Sequence, residues 1–264
     1  MSGLTDPPAF ERRFGGLRRL YGAAGAQRIF DAHAVVVGIG GVGSWAAEAL
    51  ARSGVGHLTL IDMDHVSESN TNRQIHALDP CYGMAKVLAM QQRILAINPA
   101  ASVHTIDEFV TPANWPALLE PWRVPGQRLA LIDACDQVAA KQALAAWALQ
   151  QRVPFVTVGA AGGKRLAHRV EVDDLSVTTH DPLLASLRYR LRKAQQAPRQ
   201  GRMGVACVFS REPVAPPSAD CTLDATGPGD GSLNCHGYGS SVAVTATFGL
   251  CAAARVMDWL SSEK

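Results

Sequence analysis

From residue 35 to 74 the chain reads VVVGIGGVGSWAAEALARSGVGHLTLIDMDHVSESNTNRQ, where glycines, acids and one arginine recur at spacings suited to phosphate chemistry. Gly38, Gly40 and Gly43 form a G-x-G-x-x-G loop, with Gly41 beside the second glycine, between an apolar run and a helical segment. Such glycines permit a tight turn and let phosphates approach backbone N–H groups at a helix N-terminus. Asp62 closes the next apolar run. An acid about 20 residues past the loop can accept hydrogen bonds from ribose hydroxyls. Alone, this fingerprint points to a nicotinamide or flavin dinucleotide.

The residues that follow argue otherwise. Asp64, Ser69, Asn70, Asn72, Arg73 and Gln74 come next, then Lys86 at the start of a predicted helix. A dinucleotide has little need of these charges, whereas a triphosphate calls for cations. Arg73 and Lys86 suit a departing pyrophosphate. Asp136 stands three residues past Asp133 at a predicted strand end, where it could hold magnesium bridging the phosphates. The bland alternative makes Arg73 and Lys86 surface charges and the two aspartates helix caps. Their convergence, in order, on one crevice favours the chemical reading.

Those residues need an α/β frame to position them. The 264 residues are 47% hydrophobic and 18% charged, enough for a sizeable core in one large domain or one domain with an appended lobe. Predicted strands fall near 34–38, 57–62, 102–106, 128–133 and 154–158, and helices near 42–53, 83–97, 112–120 and 137–151. This alternation predicts a Rossmann-like, mostly parallel sheet with helices on both faces. Ligands bind such sheets beyond the C-terminal strand ends, where Gly38, Asp62 and Asp133 gather. A mixed α/β C-terminal extension follows: a strand at 167–172, a basic helix at 181–197, a strand at 203–209 and a last helix from about Gly239 to Leu260. Residues 1–31 read as an arginine-rich helical segment, 32–163 as the nucleotide-binding core and 164–264 as a second lobe. The stretch 212–231 lacks periodicity, which marks a mobile or functional loop.

A net charge of +2 does not announce nucleic-acid binding, so any such role rests on a local patch. Arg188, Arg190, Arg192, Lys193, Arg199 and Arg202 supply one on a single helix and its exit, with Lys164 and Arg165 as an extension. A solvated helical face is the usual alternative. The six cysteines include no C-x-x-C pair, which disfavours a zinc knot or a disulfide scaffold. Cys235 invites a nucleophile reading because a helix N-terminus lowers thiol pKa; a small buried hydrophobe is the commoner use. His236 beside it could carry a proton. The N-terminal residues contain no apolar signal core, so a cytoplasmic, reducing location is expected. The longest apolar stretch, 242–254, falls short of the ~20 residues a bilayer needs and reads as a buried helix.

Taken in order, the glycine loop, D-x-D (Asp62, Asp64), S-N-x-x-R-Q (residues 69–74), Lys86 and D-x-x-D (Asp133, Asp136) resemble the ubiquitin-activating-enzyme-like adenylating superfamily. Within it the chain is similar to the tRNA threonylcarbamoyladenosine dehydratases, through RFGGLRRLYG (13–22), LIDMDHV (60–66), NTNRQIHAL (70–78), CVFS (207–210) and VTATFG (244–249). The resemblance implies magnesium-ATP attacked at its α-phosphate by a threonyl carboxylate, then ring closure by the carbamoyl group with loss of AMP. It implies tRNA bearing threonylcarbamoyladenosine as partner, a homodimer, and sulfur-transfer proteins as further partners. It favours phosphate contact for the basic helix. The alternative within the superfamily is an activator of a ubiquitin-like sulfur carrier, whose zinc-binding C-x-x-C pairs this chain lacks. Such relatives donate an arginine finger across the dimer from an R-Y-x-R-Q segment. Here Gly16 replaces its second arginine, leaving Arg13, Arg18 and Arg19 as candidates.

Overall fold

The structure, a computed structural model, describes residues 7–216 and 238–263. Seven strands form one sheet: β1 (His33–Val37), β2 (His57–Ile61), β3 (Ser102–Ile106), β4 (Leu129–Asp133), β5 (Phe155–Val158), β6 (Val170–Asp174) and β7 (Ala206–Ser210). Their order is β3-β2-β1-β4-β5-β7-β6. Every neighbouring pair is parallel except β6 with β7.

β1 is buried along its whole length, which explains its unbroken apolar run. The period of two still sorts its side chains. Ala34 and Val36 join the core under α2 (Gly43–Arg52), α3 (Lys86–Ile97) and α6 (Val242–Ser261), while Val35 and Val37 join the core under α4 (Val138–Gln151) and α5 (Pro182–Lys193). The chain runs from β1 outward to β3 and then returns to β4 on the other side of β1. That reversal opens a crevice beyond the strand ends, where ligands of such sheets bind.

The C-terminal third is woven into this sheet. β7 pairs with β5, and α6 covers the central strands, packing chiefly on α2. The boundary expected at 163 therefore falls between strands of one sheet. By length and composition α6 is apolar enough to cross a membrane. Its Val244, Phe248, Ala252, Val256 and Leu260 are instead buried in the core. Gly249 makes the packing possible: a Cβ there would meet the Val42 carbonyl and lie 2.8 Å from Ala46 N. The described N-terminal residues form α1 (Pro7–Asp31), with a break at Gly22 where φ is 73°.

Three expectations need correction. The helix at 112–120 is a series of turns ending in a short 3-10 helix, Glu120–Trp122. Pro116 lacks an N–H and would clash inside a helix, whereas Pro112 at the first position would be tolerated. The strand expected at 167–172 begins only at Val170, after a 3-10 turn at Ala167–Arg169, and that expected at 203–209 is shifted to Ala206–Ser210. Met203 and Gly204 donate to the Asp174 carboxylate and so turn the chain before β7 starts. Cys221, Cys235, His236 and most of the expected 212–231 loop lie outside the described residues.

Candidate nucleotide site

β1 gives way to Gly38, whose φ of +85° lies in the left-handed region that glycine alone adopts without strain. Its N–H donates to the Ile61 carbonyl at 2.8 Å. A Cβ on Gly38 would sit 2.8 Å from the Ala134 carbonyl and Cys135 N, so the turn after β4 packs directly against the loop. Gly43 abuts the Gly38 carbonyl in the same way. Gly40 differs: nothing lies within 4 Å of where its Cβ would be. Two of the glycines therefore close the turn, and Gly40 leaves open space before the N-terminus of α2. Open backbone at a helix N-terminus suits an anion.

Acids and cations border it. Asp62 Oδ2 accepts the Ile39 N–H at 2.6 Å, and Oδ1 accepts that of Asp64 at 2.8 Å. A carboxylate offers about four acceptor sites, so capacity for a ribose hydroxyl remains. Burial raises the Asp62 pKa, against the opposing charge of Lys86. Lys86 Nζ donates to Asp64 Oδ2 at 2.6 Å, with the lysine side chain 8% exposed and the acid 53%. The Lys86 N–H also bonds the Asp64 carbonyl, strapping the D-x-D segment to the start of α3. His76 is fully buried, and burial followed by the charges of Lys86 and Arg93 pushes its imidazole down to about 4. It therefore adds no positive charge at neutral pH.

Arg73 lies against the loop, its Cγ 3.3 Å from where a Gly41 Cβ would stand. Its Nη1 donates to the Ser69 carbonyl at 2.7 Å and to Asn72 Oδ1 at 2.9 Å. Its own carbonyl accepts from Trp45 Nε1 on α2 and from Thr245 Oγ1 on α6. Asn72 Nδ2 reaches the Ser240 carbonyl, and the buried Asn70 accepts the Ser67 N–H. The S-N-x-N-R segment is thus fastened at both ends, and α6 begins beside the crevice as α2 does. Trp45 and Thr245 carry no charge, so nothing in their residue type marks this anchoring role in the sequence.

The two aspartates of D-x-x-D are placed differently. Asp133 is completely buried: Oδ2 accepts from Lys141 Nζ at 3.2 Å and from Thr157 Oγ1 at 2.6 Å, while Oδ1 accepts from Cys135 N and Sγ. Lys141, equally buried, also donates to Thr157 Oγ1 and the Val158 carbonyl. Asp133 therefore presents no face to a ligand; it fixes the turn on which Asp136 is carried. Asp136 is half-buried in that turn, next to the residues that contact Gly38. Burial, then the Asp133 charge, drives the Cys135 thiol well up, and burial does the same to Cys207. Both are poor nucleophiles.

No group of three or more His, Cys, Asp or Glu side chains gathers to cage a metal among the described residues. One carboxylate at Asp136 fits magnesium nonetheless, because that ion is commonly held by one or two carboxylates, substrate phosphates and water.

The basic run divides. Arg188 Nη1 donates to the carbonyls of Leu175 and Thr178 and to Thr178 Oγ1, so this guanidinium holds the chain that precedes α5. Lys164 is likewise buried on the carbonyls of His180, Ser210 and Glu212. Arg202 pairs with Asp173 on the surface. Arg190, Lys193 and Arg199 are exposed and Arg192 half-exposed. Arg13 Nη1 donates to the Ile97 carbonyl, at the far end of α3 from Lys86, about 17 Å away at 1.5 Å per residue. Arg13 therefore cannot serve the site of its own chain. Arg18 pairs with Glu11, and Arg19 is exposed.

The ThiF family matches residues 14–264. The chain is 46% identical over 255 residues to the tRNA threonylcarbamoyladenosine dehydratase of Escherichia coli, covering 94% of this chain and 93% of that protein. The crystal structure of the E. coli tRNA N6-threonylcarbamoyladenosine dehydratase in complex with ATP superimposes with a TM-score of 0.83 at 44% identity, covering 96% and 95% of the two chains. Its complex with AMP gives 0.84 at 43% identity, covering 98% and 97%. On the matched family, and on a relative this similar along almost its whole length, the chain belongs to the ThiF family.

Proposed function

We propose that this chain is an ATP-dependent enzyme that dehydrates threonylcarbamoyladenosine in tRNA, activating its carboxylate as an adenylate. The observation that carries this reading is the open Gly40 cradle bordered by Asp62, Arg73 and Lys86, in a chain so similar to an ATP-bound dehydratase. Loop N–H groups receive the phosphates and Asp62 the ribose. A threonyl carboxylate oxygen attacks the α-phosphorus and pyrophosphate leaves, its growing charge met by Arg73 and Lys86. For Lys86 to do so, its contact with Asp64 must be exchanged for phosphate. The carbamoyl group then attacks the acyl carbon, closing the ring and releasing AMP. Asp136 would hold magnesium, which neutralises phosphate charge when bound. Asp133, through Lys141 and Thr157, positions that turn.

Incubation with magnesium-ATP and tRNA bearing threonylcarbamoyladenosine, followed by digestion and mass analysis, tests the reading. A nucleoside lighter by one water is expected. An unchanged nucleoside, with adenylate formed instead on a carrier protein's C-terminal glycine, would favour the sulfur-carrier activator. A cytoplasmic homodimer completes the proposal, and light scattering of the purified protein should return twice the chain mass. Any sulfur-transfer partner should leave the dehydration itself unaffected when omitted.

A further inference from the structure

α5 carries a second surface with its own chemistry. Ala185, Arg188, Tyr189, Arg192 and Lys193 recur at helical spacing and, with Arg199, line an open cleft of about 560 Å³. No acid is among them. Tyr189 is 64% exposed, unusual for an aromatic ring, and Lys193 Nζ lies 5.8 Å from its centroid. Arg192 Nε is shielded from solvent and has no hydrogen-bond partner among the described residues. An exposed ring flanked by cations suits an unpaired base with its phosphate: the ring offers a stacking face and the cations meet the charge. A membrane surface fits poorly, because Ala185 is the only aliphatic lining residue.

α5 starts on the crevice side of the molecule. Asp181, which caps α5, also accepts the Ala160 N–H just beyond the end of β5. The exit of α5 is tied back through Gln196 to Gln142, in the second turn of α4, the helix that follows Asp136. α5 therefore begins beside the strand ends where the nucleotide site opens, and its exit packs on the helix that follows Asp136.

We infer that Tyr189, with Arg192, Lys193 and Arg199, forms a stacking platform for an unpaired nucleotide of the tRNA substrate, outside the site that takes the reacting adenosine. This rests on the dehydratase reading. Tyr189 is thereby a substrate-binding residue, and Arg188 supports the helix from beneath.

The test measures affinity for tRNA bearing threonylcarbamoyladenosine, by fluorescence anisotropy over a range of salt, with dehydration kinetics alongside. Stacking on one aromatic contributes about 1–3 kcal/mol, so Tyr189→Ala should weaken tRNA binding on the order of tenfold. The salt slope should stay unchanged, and the loss should appear in the KM for tRNA and not in that for ATP. Tyr189→Phe should bind as the wild type does. Lys193→Ala and Arg199→Ala should each lower the salt slope by about one unit. If the wild type dehydrates tRNA while Tyr189→Ala binds it equally well, or Tyr189→Phe fails as alanine does, the platform is refuted and the dehydratase reading stands. If the wild type neither binds nor dehydrates tRNA, both fall.

Discussion

Asp133 ends β4 and Asp62 follows the last residue of β2, the strands on either side of β1, yet their surroundings are opposite. Asp62 accepts only backbone N–H groups, from Ile39 and Asp64, and keeps a small exposed edge at the crevice. Asp133 is sealed against Lys141, Thr157 and Cys135. The two carboxylates stand one residue out of register, and one opens on the crevice while the other is spent on the scaffold. What decides is the neighbouring helix. α3 contributes Lys86 on the crevice rim, whereas α4 sends Lys141 straight into the sheet.

The contrast is broken most forcefully by removing one partner of the sealed pair. Asp133→Ala leaves the Lys141 ammonium buried without its counter-charge, a change that costs about 3–5 kcal/mol. Urea denaturation should show that loss, and Asp133→Leu combined with Lys141→Met should recover much of it. Asp62→Asn should shift stability by only about 1 kcal/mol while raising the KM for ATP. Equal destabilisation by both single variants would erase the distinction.

Next in size are Arg73→Ala and Asp136→Ala. Each should lower AMP formation by roughly 10²–10³-fold, the usual effect of deleting a group that meets transition-state charge, with the fold intact by circular dichroism. An active Asp136→Ala enzyme would move the metal role elsewhere.

Protonation sharpens the picture from the scaffold side. Burial lowers the imidazoles of His33 and His76 from 6.5 to about 4, so the unfolded chain binds protons there before the folded one does. Their contribution is complete above pH 6.5 and is lost as pH falls towards 4, up to roughly 3 kcal/mol for each. Denaturation midpoints measured across that window should fall, and His33→Asn should flatten the drop.

The smallest effect belongs to the surface. Arg190→Ala should weaken tRNA binding a few-fold, lower the salt slope by about one unit and leave stability unchanged.

The crevice was legible because its code is local: Gly38, Asp62, Arg73 and Lys86 declare themselves by spacing. Lys141 was not, since it sits among alanines on a helix without a polar face. Arg188 looked like its neighbours, and only the fold shows that Leu175 and Thr178 engage it. The turns at 112–119 depart from the expected helix because Pro116 stands in its interior, while Trp115, Leu118 and Leu119 still keep a helical spacing. The pairing of β6 with β7 joins segments more than thirty residues apart and leaves no local signal.

The central claim is that ATP activates the threonyl carboxylate, and a heavy-oxygen label tests it most directly. With tRNA whose threonylcarbamoyladenosine carries the label in its carboxylate, carboxylate attack on the α-phosphorus predicts AMP holding one labelled oxygen for each ring closed. Unlabelled AMP accompanying a dehydrated nucleoside would contradict it.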